Sequence, residues 1–412
     1  MRRNIKGVGF ARLGCYLAAA LLLLCACGDG SGSTTDSGPG GLDAGLPAAD
    51  GGRSRDGGLG PCEARSFKAG TNPTFVALAD MNLDGSLDIV VANANGAAVS
   101  ILHGKGNGDF PDPVTVSVGP VGAFPSAVAV GDFNKDGIPD LAVANSGTKV
   151  VAILLGQAGG APKLTSTFQV GPTPKSLRAA DVNGDGNLDL VVLNANEYMQ
   201  GETSVGILIG KGDGSFLPQV AYPVASGPRA LVVADLDRDG HLDVAVGASS
   251  AIYVLRGSGS GSLDAPTTVQ ATGFVYGLVA ADLSQDGSMD LAAAVASSAL
   301  RPLTILPGES GSWPSHVEYG AGTVGKALAL GDLNRDGVAD LVVVAERDAS
   351  TSVASVFLGV GDGTFAAQAD FPLAPGTSSV AVGDVDGDGQ LEIVANDWGG
   401  NAVTVLSGRC YP

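Results

Sequence analysis

Asp80-Met-Asn82-Leu-Asp84-Gly85-Ser-Leu-Asp88 is the first of seven copies of one acidic nine-residue loop. The others run from Asp132 to Asp140, Asp181 to Asp189, Asp235 to Asp243, Asp282 to Asp290, Asp332 to Asp340 and Asp384 to Glu392. Their first aspartates lie 52, 49, 54, 47, 50 and 52 residues apart. So regular a period marks a repeat architecture, in which one supersecondary unit stacks on copies of itself.

The third copy shows the unit most completely. Leu177 to Ala180 leads into the loop and Leu188 to Leu193 leaves it; Ser204 to Ile209, the turn Gly210 to Phe216 and Gln219 to Ala225 follow. Each repeat therefore offers four short strands. The second is a continuous apolar run, as in Leu341-Val-Val-Val-Ala345, and such a strand must be covered on both faces. Inner strands such as Val128-Ala-Val-Gly131 and Val380-Ala-Val-Gly383 use small residues, which suit crowding around an axis. Hydrophobic residues make up 45% of the chain but aromatics only 5%, with 63 glycines, a β-rich and helix-poor balance. The expected fold is all-β, a seven-bladed β-propeller of four-stranded blades. An elongated β-solenoid is the alternative, although solenoid turns repeat at shorter periods.

The last repeat stops at Gly408-Arg-Cys410-Tyr-Pro412 without a fourth strand, while Cys62 to Ala69 aligns with Leu217 to Val224, a fourth strand lacking its own blade. The N-terminal strand is thus expected to complete the C-terminal blade. In that register Cys62 and Cys410 face each other across a turn, which predicts a disulfide between them in an exported protein.

The loops present oxygens as a hard cation requires, six to eight in one tight turn. Position one is Asp80, Asp132, Asp181, Asp235, Asp282, Asp332 and Asp384; position three is Asn82, Asn134, Asn183, Asp237, Ser284, Asn334 and Asp386. Position five is Asp84, Asp136, Asp185, Asp239, Asp286, Asp336 and Asp388, followed each time by a glycine that permits the sharp bend. Position seven can give its backbone carbonyl. Position nine returns a carboxylate from the next strand, as Asp88, Asp140, Asp189, Asp243, Asp290, Asp340 and Glu392. Up to seven structural calcium ions are expected, with the fifth site weakest because Ser284 replaces the acid or amide. The metal-free alternative is that these carboxylates only cap turns, which leaves three or four of them crowded together without a cation.

The acidic loop, the apolar strand and the turn Gly-x-Gly-Asp-Gly-x-Phe, seen at Gly210 to Phe216 and Gly359 to Phe365, resemble the FG-GAP/VCBS repeat family, which includes the integrin α-subunit propeller. The resemblance spans about residues 62 to 412 and implies a seven-bladed propeller with calcium in blade loops. The turn is degraded in the second copy, from Gly156 to Ala161, and in the fifth Trp313 takes the aromatic place.

The N-terminus carries Arg2, Arg3, Lys6 and Arg12, then the apolar run Tyr16 to Leu24, then Leu24-Cys25-Ala26-Cys27. This is an export signal, resembling that of a bacterial lipoprotein with Cys27 as the lipidated residue. Residues 1–26 form the signal peptide, 27–60 a Gly/Ser/Asp-rich tether, and 61–412 the propeller. Multiple acylation would hold the domain on a membrane, with the outer membrane or cell surface as the expected location. Removal of four cations changes the net charge from -19 to -23, which argues against nucleic acid as a partner. The loops contain 23 of the acidic residues, so metal accounts locally for much of the acidity.

No nucleophile elbow, phosphate loop or zinc-type cluster is present, and His103, His241 and His316 read as surface residues. No catalytic residue is assigned. Six residues before each first aspartate stand Thr74, Ser126, Lys175, Arg229, Tyr276, Lys326 and Ser378, which should share one mouth of the ring opposite the acidic loops. With Tyr198, Arg347 and Trp398 nearby, this face is expected to bind an anionic or hydroxyl-rich ligand, such as an envelope or extracellular polysaccharide or a surface protein. The chain thus reads as an adhesion or ligand-binding module; the alternatives are a polysaccharide lyase or glycoside hydrolase and a purely structural envelope protein.

Overall fold

In a computed structural model of the chain, the described residues are 64–410 apart from 196–202, 225–226, 297–300, 321, 349 and 367. The signal peptide, the tether, Cys27, Cys62 and Tyr198 lie outside them. The chain divides into two units, Met1–Gly52 and Arg53–Pro412, and all that is described belongs to the second.

Strands account for every described regular element except the 3-10 turn Gly408–Cys410. In the third repeat Pro174–Ala180, Asp189–Asn194, Ser204–Leu208 and Val220–Pro223 pair antiparallel in that order. The same four-stranded pattern recurs along the chain, and two consecutive units are joined into one eight-stranded sheet by the single pair Ala296↔Val324. These repeated antiparallel sheets are those of a β-propeller.

The second strand of the unit is buried throughout. In Asp189–Asn194 every residue is buried, and alternate side chains serve different neighbours. Leu190 and Val192 pack with Ala142, Ala144 and Ile153 of the preceding repeat, whereas Val191 and Leu193 pack with Leu231, Val244 and Val246 of the following one. Each such Leu or Val contributes about 2 kcal/mol by leaving water. This double cover is why the strand is apolar without alternation. Inner strands approach so closely that a Cβ on Gly277 would stand 3.1 Å from the Leu328 amide nitrogen and 3.2 Å from Ala327 Cα.

Ala64–Lys68 pairs antiparallel with Ala402–Leu406, from Ala64↔Leu406 to Lys68↔Ala402. It thereby joins the sheet of Val380–Gly383 and Glu392–Asp397, in the register expected from the alignment with the third repeat. Phe67 meets Phe110 edge-on at 5.0 Å, and Arg65 pairs with Asp109 and donates to Gly108 O at 3.0 Å. Cys410 is half-buried against the core of the last repeats, while its expected disulfide partner is not among the described residues.

In the third repeat the glycine-aromatic turn closes the unit against the one before it. Phe216 bridges back to Gly210 and its ring stands 5.7 Å from Phe133 and 5.4 Å from Phe168. Where the turn is degraded in the second repeat, the strands Val150–Gln157 and Gly160–Gln169 simply extend into a tight hairpin closed by Gln157↔Gly160. In the fifth, Trp313 is buried in the aromatic place and donates from Nε1 to Met289 O at 3.0 Å. Both departures are absorbed locally.

Candidate metal loops and the opposite mouth

Each acidic loop is built as a nest of carboxylates over backbone amides. In the first, Asp80 Oδ1 accepts from the Asp84 amide at 3.0 Å and Oδ2 from Gly85 at 2.8 Å. Asn82 Oδ1 accepts from Asp84 at 2.9 Å, and Asp84 Oδ1 from Ser86 at 2.8 Å. Gly85 turns the chain at a φ of 88°, in the left-handed region that favours glycine.

Position nine has a task that sequence reasoning missed. Both oxygens of this buried carboxylate bind backbone amides: Asp140 Oδ2 accepts from Phe133 at 2.9 Å and Oδ1 from Gly156 at 2.7 Å. Asp88, Asp189, Asp243, Asp290 and Asp340 repeat the arrangement, and Glu392 reaches the equivalent amides of Val385 and Gly408. The carboxylate thus ties the loop to the end of the third strand. Burial pushes Asp140 and Asp189 up to about 6 and Glu392 to about 7, against the pull of those amides and with neighbouring loop carboxylates adding to the rise.

A cation fits this chemistry. Oxygens of Asp235, Asp237 and Asp239 lie within 4.8 Å of one another, as do those of Asp384, Asp386 and Glu392. Asp235 Oδ1 is buried and accepts no hydrogen bond. In the fifth loop Ser284 Oγ is likewise buried without a hydrogen bond, so the serine does not cap Asp286 as Asn82 caps Asp84.

Several basic side chains lie against the loops, a feature sequence reasoning did not find. His103, expected at the surface, brings Nδ1 to 3.0 Å from Asp88 Oδ2, while His241 and His316 are exposed as expected. Arg256 Nη1 stands 2.6 Å from Asp243 Oδ2 and 3.4 Å from Asp237 Oδ2. Arg409 donates from Nε at 3.0 Å and Nη2 at 2.8 Å to Asp388 Oδ2. The signal was present at one position: His103 and Arg256 directly precede the glycine closing the third strand, where the other repeats carry Leu155, Ile209, Pro307, Leu358 and Ser407.

The residues six before each first aspartate divide into two kinds. Thr74 Oγ1 donates to Pro125 O at 3.0 Å and Ser126 Oγ to Pro174 O at 2.6 Å, so these hydroxyls link successive inner strands. Arg229, Tyr276 and Lys326 come together instead: the Arg229 guanidinium lies 4.8 Å and the Lys326 Nζ 5.2 Å from the centre of the Tyr276 ring. Lys326 also lies 3.4 Å from Glu346. Lys175 is half-buried; Trp398 is 51% exposed, and Arg347 is held by Asp370. Nearby on the third inner strand, Arg178 stands where other repeats have Ala77, Ala129, Val232, Val279, Ala329 and Ala381, and desolvation lowers its pKa.

The FG-GAP-like repeat family model matches residues 80–143, 132–192, 181–246, 236–293 and 332–395, which together cover more than half of the chain. No curated protein matches it in sequence. Among solved structures, one of BBS1N in complex with ARL6DN is similar over 84% of this chain and 96% of that one, at 14% identity and a TM-score of 0.57. A catalytically inactive virginiamycin B lyase from Staphylococcus aureus, with quinupristin, is similar over 84% and 99%, at 14% identity and a TM-score of 0.52. An Agrocybe aegerita lectin that recognises non-reducing terminal N-acetylglucosamine has 20% identity over 75% and 80% and a TM-score of 0.48, too slight a likeness to bear on this chain. Identities this low speak to fold alone.

Proposed function

Because the chain belongs to the FG-GAP-like repeat family, we propose that it is a closed, calcium-stabilised seven-bladed propeller acting as a ligand-binding module of the cell envelope. Closure is supported by the pairing of Ala64–Lys68 with Ala402–Leu406 and by the Asn396 side chain, whose Nδ2 donates to Pro73 O at 2.8 Å. Calcium is supported by the converging carboxylates of the fourth and seventh loops and by the bare Asp235 Oδ1. In each loop, positions one, three and five and the position-seven carbonyl would hold the ion, with the position-nine carboxylate beneath. The ion would supply charge neutralisation and rigidity. Among the described residues no helix is long and apolar enough to cross a membrane. Attachment in this reading is through lipid on Cys27, after export directed by residues 1–26.

The observation that carries the binding role is the Arg229–Tyr276–Lys326 stack, two cations on one ring in a protein of net charge -19. A cationic mouth with an aromatic floor suits an acidic polysaccharide, whose carboxylates meet the cations and whose sugar faces meet the ring. The test is capture of alginate, dextran sulfate and neutral dextran by residues 61–412, with calcium and then with chelator. Binding of the two anionic polymers and not dextran is the expected result. Equal binding of dextran would remove the electrostatic argument, and shortening of a polymer would replace this reading with a lyase or hydrolase.

A further inference from the structure

Four carboxylates make the fourth loop one of the two most acidic, yet two of them are already engaged by an internal cation. Arg256 Nη1 reaches Asp243 Oδ2 at 2.6 Å and Asp237 Oδ2 at 3.4 Å, while its Nη2 donates to Gly311 O in the next repeat. Its guanidinium also lies 5.8 Å from the ring of Trp313, the buried aromatic of that same turn. Arg256 is therefore a strut with one end in the fourth loop and the other in the fifth repeat. Meanwhile Asp235 Oδ1 is left buried and bare, and its neighbours Asp237 and Asp239 converge with it within 4.8 Å. The loop is prepared for a divalent ion but partly closed against one.

We propose that calcium and the Arg256 strut compete for the fourth loop, so that filling this loop withdraws the guanidinium from Asp237 and Asp243 and releases its hold on the Gly311–Trp313 turn. The inference rests on the calcium reading of the loops. A divalent ion bound by Asp235, Asp237 and Asp239 would stand only a few ångströms from the guanidinium charge, and in a half-buried site such repulsion is weakly screened. Withdrawing the arginine restores Asp237 fully to the ion but costs the contact to the next repeat. The occupancy of the fourth loop is accordingly reported to a neighbouring repeat, and this loop fills at higher calcium than its charge alone dictates.

Trp313 and Trp398 are the two tryptophans of the chain, so replacing the exposed one, Trp398→Phe, leaves Trp313 as a reporter. In that background, calcium titration should shift Trp313 emission at a higher concentration than the one at which total calcium uptake, measured by equilibrium dialysis, is half complete. Adding Arg256→Leu, the residue type of the second and sixth repeats at this position, should remove the emission change that follows the fourth site, leaving only what the fifth loop transmits through Met289, and tighten one site at least about tenfold. If dialysis finds calcium bound but Trp313 emission is unchanged, or if Arg256→Leu tightens no site, the competition is disproved while the calcium reading stands. If neither protein binds calcium, both fall. A variant that loses its sheet structure is replaced by Arg256→Ile, which follows Ile209 of the third repeat, and is judged by the same two readings.

Discussion

The Val76 amide donates to Ser379 Oγ at 3.1 Å, joining residues 303 positions apart. With Asn396 reaching Pro73 O and Ala64–Lys68 pairing with Ala402–Leu406, the first and last described repeats are bonded to each other. Phe67→Ala should cost about 2 kcal/mol by emptying the contact with Phe110. Deleting 64–68 should do more, because it bares a strand edge. Urea unfolding measures the first and light scattering the second; an undiminished midpoint in the one and no association in the other would mean the N-terminal strand is dispensable.

Removal of calcium should lower the melting temperature by at least about 10 °C, since each filled site would contribute about 2.7 kcal/mol at a hundredfold excess over its dissociation constant. Scanning calorimetry with calcium and with chelator checks this. Magnesium should restore little, since it retains its waters in sites of this type.

What the sequence disclosed is set by how local the cause is. Lys68 could be placed opposite Ala402 because both repeat the third unit, and the amide-capping of Asp80, Asn82 and Asp84 follows from nine consecutive residues. The bond from Gly156 to Asp140 could not be read, because it depends on which strand lies beside which. Nor could the partners of Arg256, which are scattered from Asp237 to Gly311, although its place before the closing glycine set it apart. The seven aligned mouth residues looked equivalent in sequence, but Thr74 and Ser126 are spent on neighbouring backbone while Arg229 and Lys326 meet on one ring. Alignment gives position, and neighbours decide employment.

The position-nine carboxyls make stability depend on pH in a stated direction. Asp140 and Asp189 are raised from 3.8 to about 6 and Glu392 from 4.5 to about 7. Between the unfolded and folded values the folded chain binds more protons, so stability of the metal-free protein falls as pH rises through that window. Its melting temperature should therefore be several degrees higher at about pH 5 than at about pH 8. Calcium favours the ionised carboxylates and should reverse the slope. Asp84 and Asp185 are held low by the Ser86 and Asn187 amides, and their contribution is lost only as pH falls below the ordinary carboxylate value. Parallel melting curves with and without calcium would contradict the assignment.

Tyr276→Leu should weaken binding of an acidic polymer about tenfold or more, because it removes the surface on which both Arg229 and Lys326 are ordered. Lys326→Ala should weaken it less, since Glu346 already shares that charge at 3.4 Å. Retention of the polymer on a column of each variant decides the order, and the reverse ranking would place the ligand elsewhere.

Ser284 marks the loop that can be improved. Asn82 and Asn134 each accept the position-five amide, at 2.9 Å and 3.0 Å, and Ser284 Oγ accepts nothing although it is buried. The serine Oγ stands one bond nearer the backbone than an asparagine Oδ1 and does not reach that amide here. Ser284→Asn should restore the cap, adding about 1 kcal/mol to the metal-free protein. It should also bring another oxygen toward the fifth site, tightening calcium there about tenfold. Ser284→Ala separates the two effects, because it removes an unbonded hydroxyl and should change metal-free stability little. If Ser284→Asn raises stability without altering calcium uptake, the third position caps the turn and does not touch the ion.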